Sequence, residues 1–340
     1  MTLMNDYFQI PAISNSSLST FNYDPSYYYK VHVTKELVDK KDSASLTFGS
    51  LVHCLLLEPE KVSERYVISV IRPEDKPSGM MLDFISALLK YEVLDGLAID
   101  SAYAQSGYKL SKEKVVESFN KPANLMYYEE MVNSKGKSLI LKNEYDLAVQ
   151  CANIAAYNPQ WPSILGEGAW AVHKELEILW EEDGLNFKSK LDHMYVRQVE
   201  GTVFVKYFDY KTDSQKPVHK YLETFEYWKT YRQMAFYEKA IRMWASDTFS
   251  NVNNIVISMY LVPIDVVRLK SLIYLVDKSY LEKGRKEIAE DLNNLRWHME
   301  HGKWEYPRYI YSQLDATGTL SLFDKDYYAN LGLVNKGIEV

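Results

Sequence analysis

The chain has 340 residues, 47% hydrophobic and 25% charged, an ordinary globular balance with room for one large domain or two smaller ones. Its formal net charge of -7 excludes a wholly basic nucleic-acid coat, so any contact with a polyanion must be local. Two cysteines, Cys54 and Cys151, with no CxxC and no Cys/His cluster, argue against a zinc site or a disulfide framework and for a cytoplasmic location.

The N-terminus MTLMNDYFQIPAIS lacks a basic start before an apolar core, and no apolar run approaches membrane-spanning length. Tyrosine is frequent, at 28 residues. A tyrosine ring can pack in a core or stack on a base, so the count alone decides nothing.

Residues 13–31, ISNSSLSTFNYDPSYYYKV, read as two short helices. Ser16 or Ser17 caps the first, Pro25 suits the first turn of the second, and Leu18, Phe21 and Tyr28 face inward. Residues 46–60, LTFGSLVHCLLLEPE, place Phe48, Val52, Leu55 and Leu56 at helical spacing before Pro59. His53 lies in the middle of this apolar helix, where a lone histidine reads either as a satisfied core residue or as a site group. Gly49, one turn earlier, permits close approach of another backbone.

Residues 72–79, RPEDKPSG, read as a loop. Residues 80–156 are helical in pattern and carry no chemical motif, so the stretch 73–165 is expected to be a mostly helical insertion within a single domain, 1–340. Residues 171–180 and 185–196 alternate as two strands around the turn EEDG, a hairpin. Glu175 and Glu177 share one face of the first strand; Lys188, Lys190 and Asp192 share one face of the second.

A third strand, VFVKYFDYK (203–211), follows and ends in Asp209 and Lys211 on one side. An acid there can hold a hard divalent cation, and a lysine beside it can orient water or stabilise phosphate charge. The same pair also occurs as a structural ion pair at a strand end. The three strands bring Glu175 or Glu177, Asp192, Asp209 and Lys211 together on one face.

A long helix is expected over 219–246, with Tyr227, Tyr231, Met234, Ile241 and Ala245 apolar and Lys229, Gln233 and Tyr237 in one stripe. Residues 201–245 hold eight Lys/Arg against five Asp/Glu, a local excess of three positive charges. Strands over 254–262 and 266–276, a charged helix over 279–301 and an aromatic, loop-like end complete the reading.

The order His53, Glu175, Asp192, Asp209-Tyr210-Lys211, Gln233-x-x-x-Tyr237 resembles the PD-(D/E)xK nuclease superfamily. Within it the pattern is similar to the RecE-type exonucleases of phages and prophages (exonuclease VIII), related to lambda exonuclease and the RecB-type nuclease domains. FGSLVHCLLLEPE resembles their His-bearing helix, ELEILWEEDGLNFKSKLD their carboxylate hairpin, FDYKT their D-x-K strand and QMAFY their Q-x-x-x-Y helix; together these cover residues 16 to 237. Lys190 stands where the family usually has Arg, which keeps a charge but loses bidentate geometry. The helical stretch 80–156 is longer than the resemblance leads one to expect.

The resemblance implies an α/β fold with a mixed central sheet flanked by helices, and a Mg2+- or Mn2+-dependent exodeoxyribonuclease acting on ends of double-stranded DNA, 5′→3′. It implies Asp192, Asp209, the Tyr210 carbonyl and His53 as metal ligands, Glu175 as an assisting acid and Lys211 as the group positioning water. It assigns DNA contacts to Gln233 and Tyr237 and a phosphate contact to Lys190; Lys229, on the same stripe, is a further DNA-binding candidate. It also implies a ring-like homo-oligomer, a RecT-type single-strand annealing partner and phage-type recombination; the lack of a spanning apolar run leads to the expectation of no membrane.

Several acids without a Cys/His ligand set independently favour Mg2+ or Mn2+ over zinc. Of the two glutamates, counting from Trp180 assigns Glu175 to the site and leaves Glu177 to pair with Lys188 or Lys190. Two other readings compete. A catalytically silent nuclease-fold DNA-binding or assembly protein has no need of intact Asp192, Asp209 and Lys211, and a glycosidase using paired carboxylates has no need of Lys211.

Overall fold

The computed structural model describes residues 6–38, 44–314 and 317–320. The loop-like end expected after Tyr306 falls partly outside these residues; within them Arg308–Gln313 is a short helix. Two sheets are present among the described residues. The small one pairs β1 (Tyr66–Ser69) with β2 (Ser138–Leu141) in parallel.

The large one contains β3 (Ala171–Glu182), β4 (Leu185–Val199), β5 (Thr202–Asp213) and β6 (Asn254–Asp265), with short β7 (Lys270–Ser271) and β8 (Tyr274–Leu275) against β6. β3, β4 and β5 run antiparallel and β5–β6 parallel, so the central sheet is mixed. The two hairpins close on two-residue turns, Asp183-Gly184 and Glu200-Gly201. All four of these residues have positive φ, the geometry that a type I′ turn needs to match strand twist.

Both faces of the sheet are covered. Against one face lie the helices Asn15–Tyr23, Thr230–Thr248 and Lys278–His301, packed on Val203, Val205, Tyr207, Met194 and Ile178. Against the other lie Ala44–Leu57 and Lys142–Ala156, packed on Phe208, Tyr210 and Val262. Strands buried on both faces read as continuous apolar runs, as VFVKYF does. Helices between Met80 and Asn133 enclose a separate core around Phe84, Ile85, Leu88 and Phe119.

Several expectations are corrected. Ser14, not Ser16 or Ser17, caps the first helix, its hydroxyl accepting from Ser17 N–H while Ser17 returns the bond. The stretch 80–156 is not wholly helical, because β2 interrupts it. The helix expected over 219–246 is two, Tyr221–Tyr227 and Thr230–Thr248, broken where Lys229 takes a left-handed φ of 50°. Tyr227 consequently lies in solvent rather than on an apolar face. The strand expected over 266–276 shrinks to β7 and β8.

Candidate active site

β4 and β5 pair from Val199–Thr202 only as far as His193–Phe208. Beyond that point β5 continues along β6 to Asp213, while the edge of β4 is taken by the segment before the first helix. There Ile13 N–H donates to Asn186 O at 2.8 Å and Lys188 N–H to Ile13 O at 2.8 Å. The strands therefore part where Asp192 and Asp209 stand, and a slit opens between them.

The buried Lys188 ammonium secures this strap. It donates to the carbonyls of Tyr7 (3.0 Å) and Ile10 (2.8 Å) and sits over the Tyr7 ring. Burial pulls its pKa down, and the charge of Lys35 adds to the effect.

On β3, Glu175 takes a left-handed φ of 51°, costly for a residue with a Cβ. The ladder keeps one register on both sides, Lys174–His193 and Leu176–Leu191, so Glu175 stands opposite Asp192. The pleat changes phase here. His173 and Leu176 both face the Thr230–Thr248 side, and so do Leu191 and Met194 on β4. A reversed pleat confined to two facing acidic residues is the kind of strain found at functional sites.

His53, Glu175 and Asp192 bring one ligand atom each within 4.8 Å of one another. His53 Nε2 lies 2.9 Å from the Tyr210 carbonyl, which can only accept, so Nε2 carries the hydrogen and Nδ1 is left facing Asp192 Oδ2 at 3.6 Å. Asp192 Oδ2 also accepts from Tyr210 N–H at 2.9 Å. The His53 helix is close to β5 because Gly49 leaves room: a Cβ there would lie 3.2 Å from Thr212 Oγ1.

Across the slit, Asp209 is 1% exposed and pairs with the Lys211 ammonium at 2.7 Å. Its Oδ1 accepts from Tyr207 O–H at 3.2 Å. Tyr207 packs edge-on to Tyr237, whose hydroxyl accepts from Gln233 Nε2 at 2.9 Å. The acids thus meet through the gap, Glu175 and Asp192 toward the His53 helix and Asp209 toward the Gln233 helix, rather than on one flat face.

Lys190 pairs with Glu175 at 2.9 Å. The expected partner was Glu177, which is exposed, while Lys188 is spent on the strap. Glu177 has no ion pair at either lysine because Glu175, turned by its left-handed backbone, reaches Lys190 first. Lys229 stands apart at the helix break, paired with Glu287 at 3.3 Å.

Burial raises the pKa of Asp192, with His53 opposing and Asp209 adding to the rise. Burial raises Glu175 too, against its pairing with Lys190. Burial works against the Lys211 charge, yet Asp209 and Asp192 hold its ammonium above the ordinary lysine range. Burial, then Asp209, push Tyr207 and Tyr237 far up, so both are neutral hydrogen-bonding phenols.

Three carboxylates face two ammonium groups, and the buried Asp209 Oδ2 completes no well-formed hydrogen bond. Such an oxygen-rich set with surplus negative charge fits a hard divalent cation. Sequence reading missed Tyr207, although its place two residues before Asp209 on the same face of β5 was a sufficient signal.

No curated protein matches the chain. A crystal structure from Eubacterium rectale, described provisionally as an exonuclease, aligns over 99% of this chain and all of its own with 14% identity and a TM-score of 0.46, too slight to bear weight. The family evidence is firmer: a model described as a PDDEXK-like domain of unknown function matches residues 14–308, and the chain belongs to that family.

Proposed function

We propose that the protein is one nuclease domain that hydrolyses phosphodiester bonds of linear double-stranded DNA from its ends, with Mg2+ or Mn2+. The observation that carries this reading is the pairing of Asp209 with Lys211 at the parting of β4 and β5, with Asp192, Glu175 and His53 across the gap. Asp192, Asp209 and the Tyr210 carbonyl would hold the cation, with His53 Nδ1 at its side. The His53 Nε2–H bond to a carbonyl is the kind of support that orients a ligating imidazole. The cation, when bound, supplies Lewis acidity and eases ionisation of water at neutral pH.

The chain's own residues do the rest. Lys211, held charged, orients the attacking water and meets the charge that builds on the phosphoryl oxygens. Glu175, kept close to Asp192 and tempered by Lys190, assists at the attacking side. Gln233, Tyr237, Lys190 and Lys229 contact the DNA backbone. The resemblance supports 5′→3′ polarity, a ring-like homo-oligomer and a RecT-type annealing partner in recombination, and the cysteine usage supports a cytoplasmic location. No described helix is long and apolar enough to cross a membrane.

The test is purified protein on linear and closed circular duplex, with Mg2+ and with EDTA. Degradation of the linear form alone, abolished by EDTA, is expected. Equal cutting of circles points to an endonuclease, and metal-independent cleavage overturns the assignment.

A further inference from the structure

Beside the slit is a second cavity of about 530 Å³, lined by Lys211 and Gln233 from the site, by Asn15 and Thr224, and by Tyr227 and Trp228. Those last two aromatics are 77% and 69% exposed and meet edge to face, with centroids 4.9 Å apart. Each ring offers about 150–250 Å² of surface that a stacked partner can bury.

Their presentation is rigid. The helix Tyr221–Tyr227 is tied to the end of β5 by Thr224 O–H donating to Asp209's strand-mate Asp213 at 3.1 Å. Tyr280 O–H holds Glu226 at 2.5 Å, and Trp228 N–H and Lys229 N–H close the helix end on Thr224 O and Glu226 O. On the far side Glu287 grips both Lys229 and Tyr231, at 3.3 and 2.7 Å. The break costs a left-handed Lys229, and what it achieves is to turn Tyr227 and Trp228 outward at the mouth of the cavity.

Resting on the nuclease reading above, we infer that Tyr227 and Trp228 form a stacking platform for an unpaired nucleobase of the strand being cut, next to the scissile phosphate. The cavity has the volume of a small-ligand site. Its lining combines ammonium groups for phosphate, amide and hydroxyl groups for sugar and base edges, and two ring faces for the base. Aromatic stacking tolerates any base, which suits an enzyme that must pass along sequence without reading it. Placing the base here draws the terminal nucleotide off its partner and sets the following phosphate against Lys211.

The experiment uses the full chain with Ca2+ in place of Mg2+ and linear duplexes carrying 5-iodouracil either at the terminal two nucleotides or ten base pairs inside. Illumination should crosslink the terminal probe to Tyr227 or Trp228, as mapped by mass spectrometry, and the internal probe to neither. Trp228→Ala should weaken binding of a duplex with unpaired ends about tenfold, within the range that one base–aromatic stack supplies. Trp228→Phe should stay within about threefold, because a ring face remains.

Crosslinks that map elsewhere, or equal affinity of Trp228→Ala, overturn the platform while leaving the nuclease intact. A Trp228→Ala variant that changes oligomeric state with unchanged end affinity shows an interface between copies instead. Failure of the unaltered protein to bind or cut linear duplex at all removes the nuclease reading together with the platform.

Discussion

Replacing Lys211 by alanine separates the charge that holds the site together from the charge that works in it. Asp209 is 1% exposed, and its Oδ2 has the Lys211 ammonium as its ion-pair partner at 2.7 Å. Removing one partner of a fully buried pair costs about 3–5 kcal/mol, because the other charge is stranded. Lys211 is 31% exposed, so water can replace part of the lost charge, and about 2–3 kcal/mol is expected.

A divalent cation should repair this, since it brings positive charge to the same carboxylate. At a hundredfold excess over its Kd, binding stabilises by about 2.7 kcal/mol. Without metal, Lys211→Ala should therefore melt several degrees below the parent, and with saturating Mn2+ it should gain more in Tm than the parent does. Asp209→Asn should behave oppositely: inactive, deaf to metal, and less destabilised than Lys211→Ala, because the Lys211 ammonium is partly in solvent and keeps the attraction of Asp192. The double variant should be more stable than Lys211→Ala alone, since no buried charge is left unpaired. Chemical or thermal denaturation with and without Mn2+ measures all four. A Lys211→Ala protein as stable as the parent without metal, or one that loses metal affinity, refutes the reasoning.

Three further outcomes are expected. Glu175→Gln should cut the rate about 10²–10⁴-fold at saturating DNA, the usual range for an assisting acid or base, while exposed Glu177→Gln should leave it within a few-fold; steady-state rates with the reverse order would move the site one pleat along β3. His193 is buried with its pKa pulled down to about 4, below an unfolded value near 6.5, so the unfolded chain binds more protons between these pH values. Stability should fall by about 1.4 kcal/mol per pH unit on acidification through that window, and His193→Gln should flatten the slope in urea titrations at pH 7 and 5. Gly49→Leu should crowd Thr212, cost about 1–3 kcal/mol by denaturant titration and lower activity by moving the His53 helix, whereas an unchanged rate would show that the helix can shift freely.

Much of the central architecture was legible because it depends on local signals. The alternation in ELEILW and the Asp-Gly and Glu-Gly turns fixed the hairpins, and Asp209 and Lys211 follow from a period of two. Three things were not legible, and each depends on partners far along the chain. The broken helix at Lys229 carries no Gly or Pro; it is held by Glu287, almost sixty residues away. Strand β2, only SLIL, exists because β1 lies beside it. The fate of Lys188 rests on three main-chain carbonyls near the N-terminus, and carbonyls have no sequence signature.

The reversed pleat at Glu175 also limits how this hairpin can vary. On either side of it the two strands obey opposite parity: odd positions of β3 face the Thr230–Thr248 helix before it, and even positions after it. A one-residue insertion in either arm would turn that arm's apolar side chains outward while leaving the other arm seated. The acidic pair can therefore migrate along the hairpin only if the phase shift migrates with it, on both strands and by the same number of residues. A single substitution cannot produce such a step. The hairpin acts as a ruler whose zero mark lies at Glu175 and Asp192, so its length and turn can change more freely than the place where the acids stand.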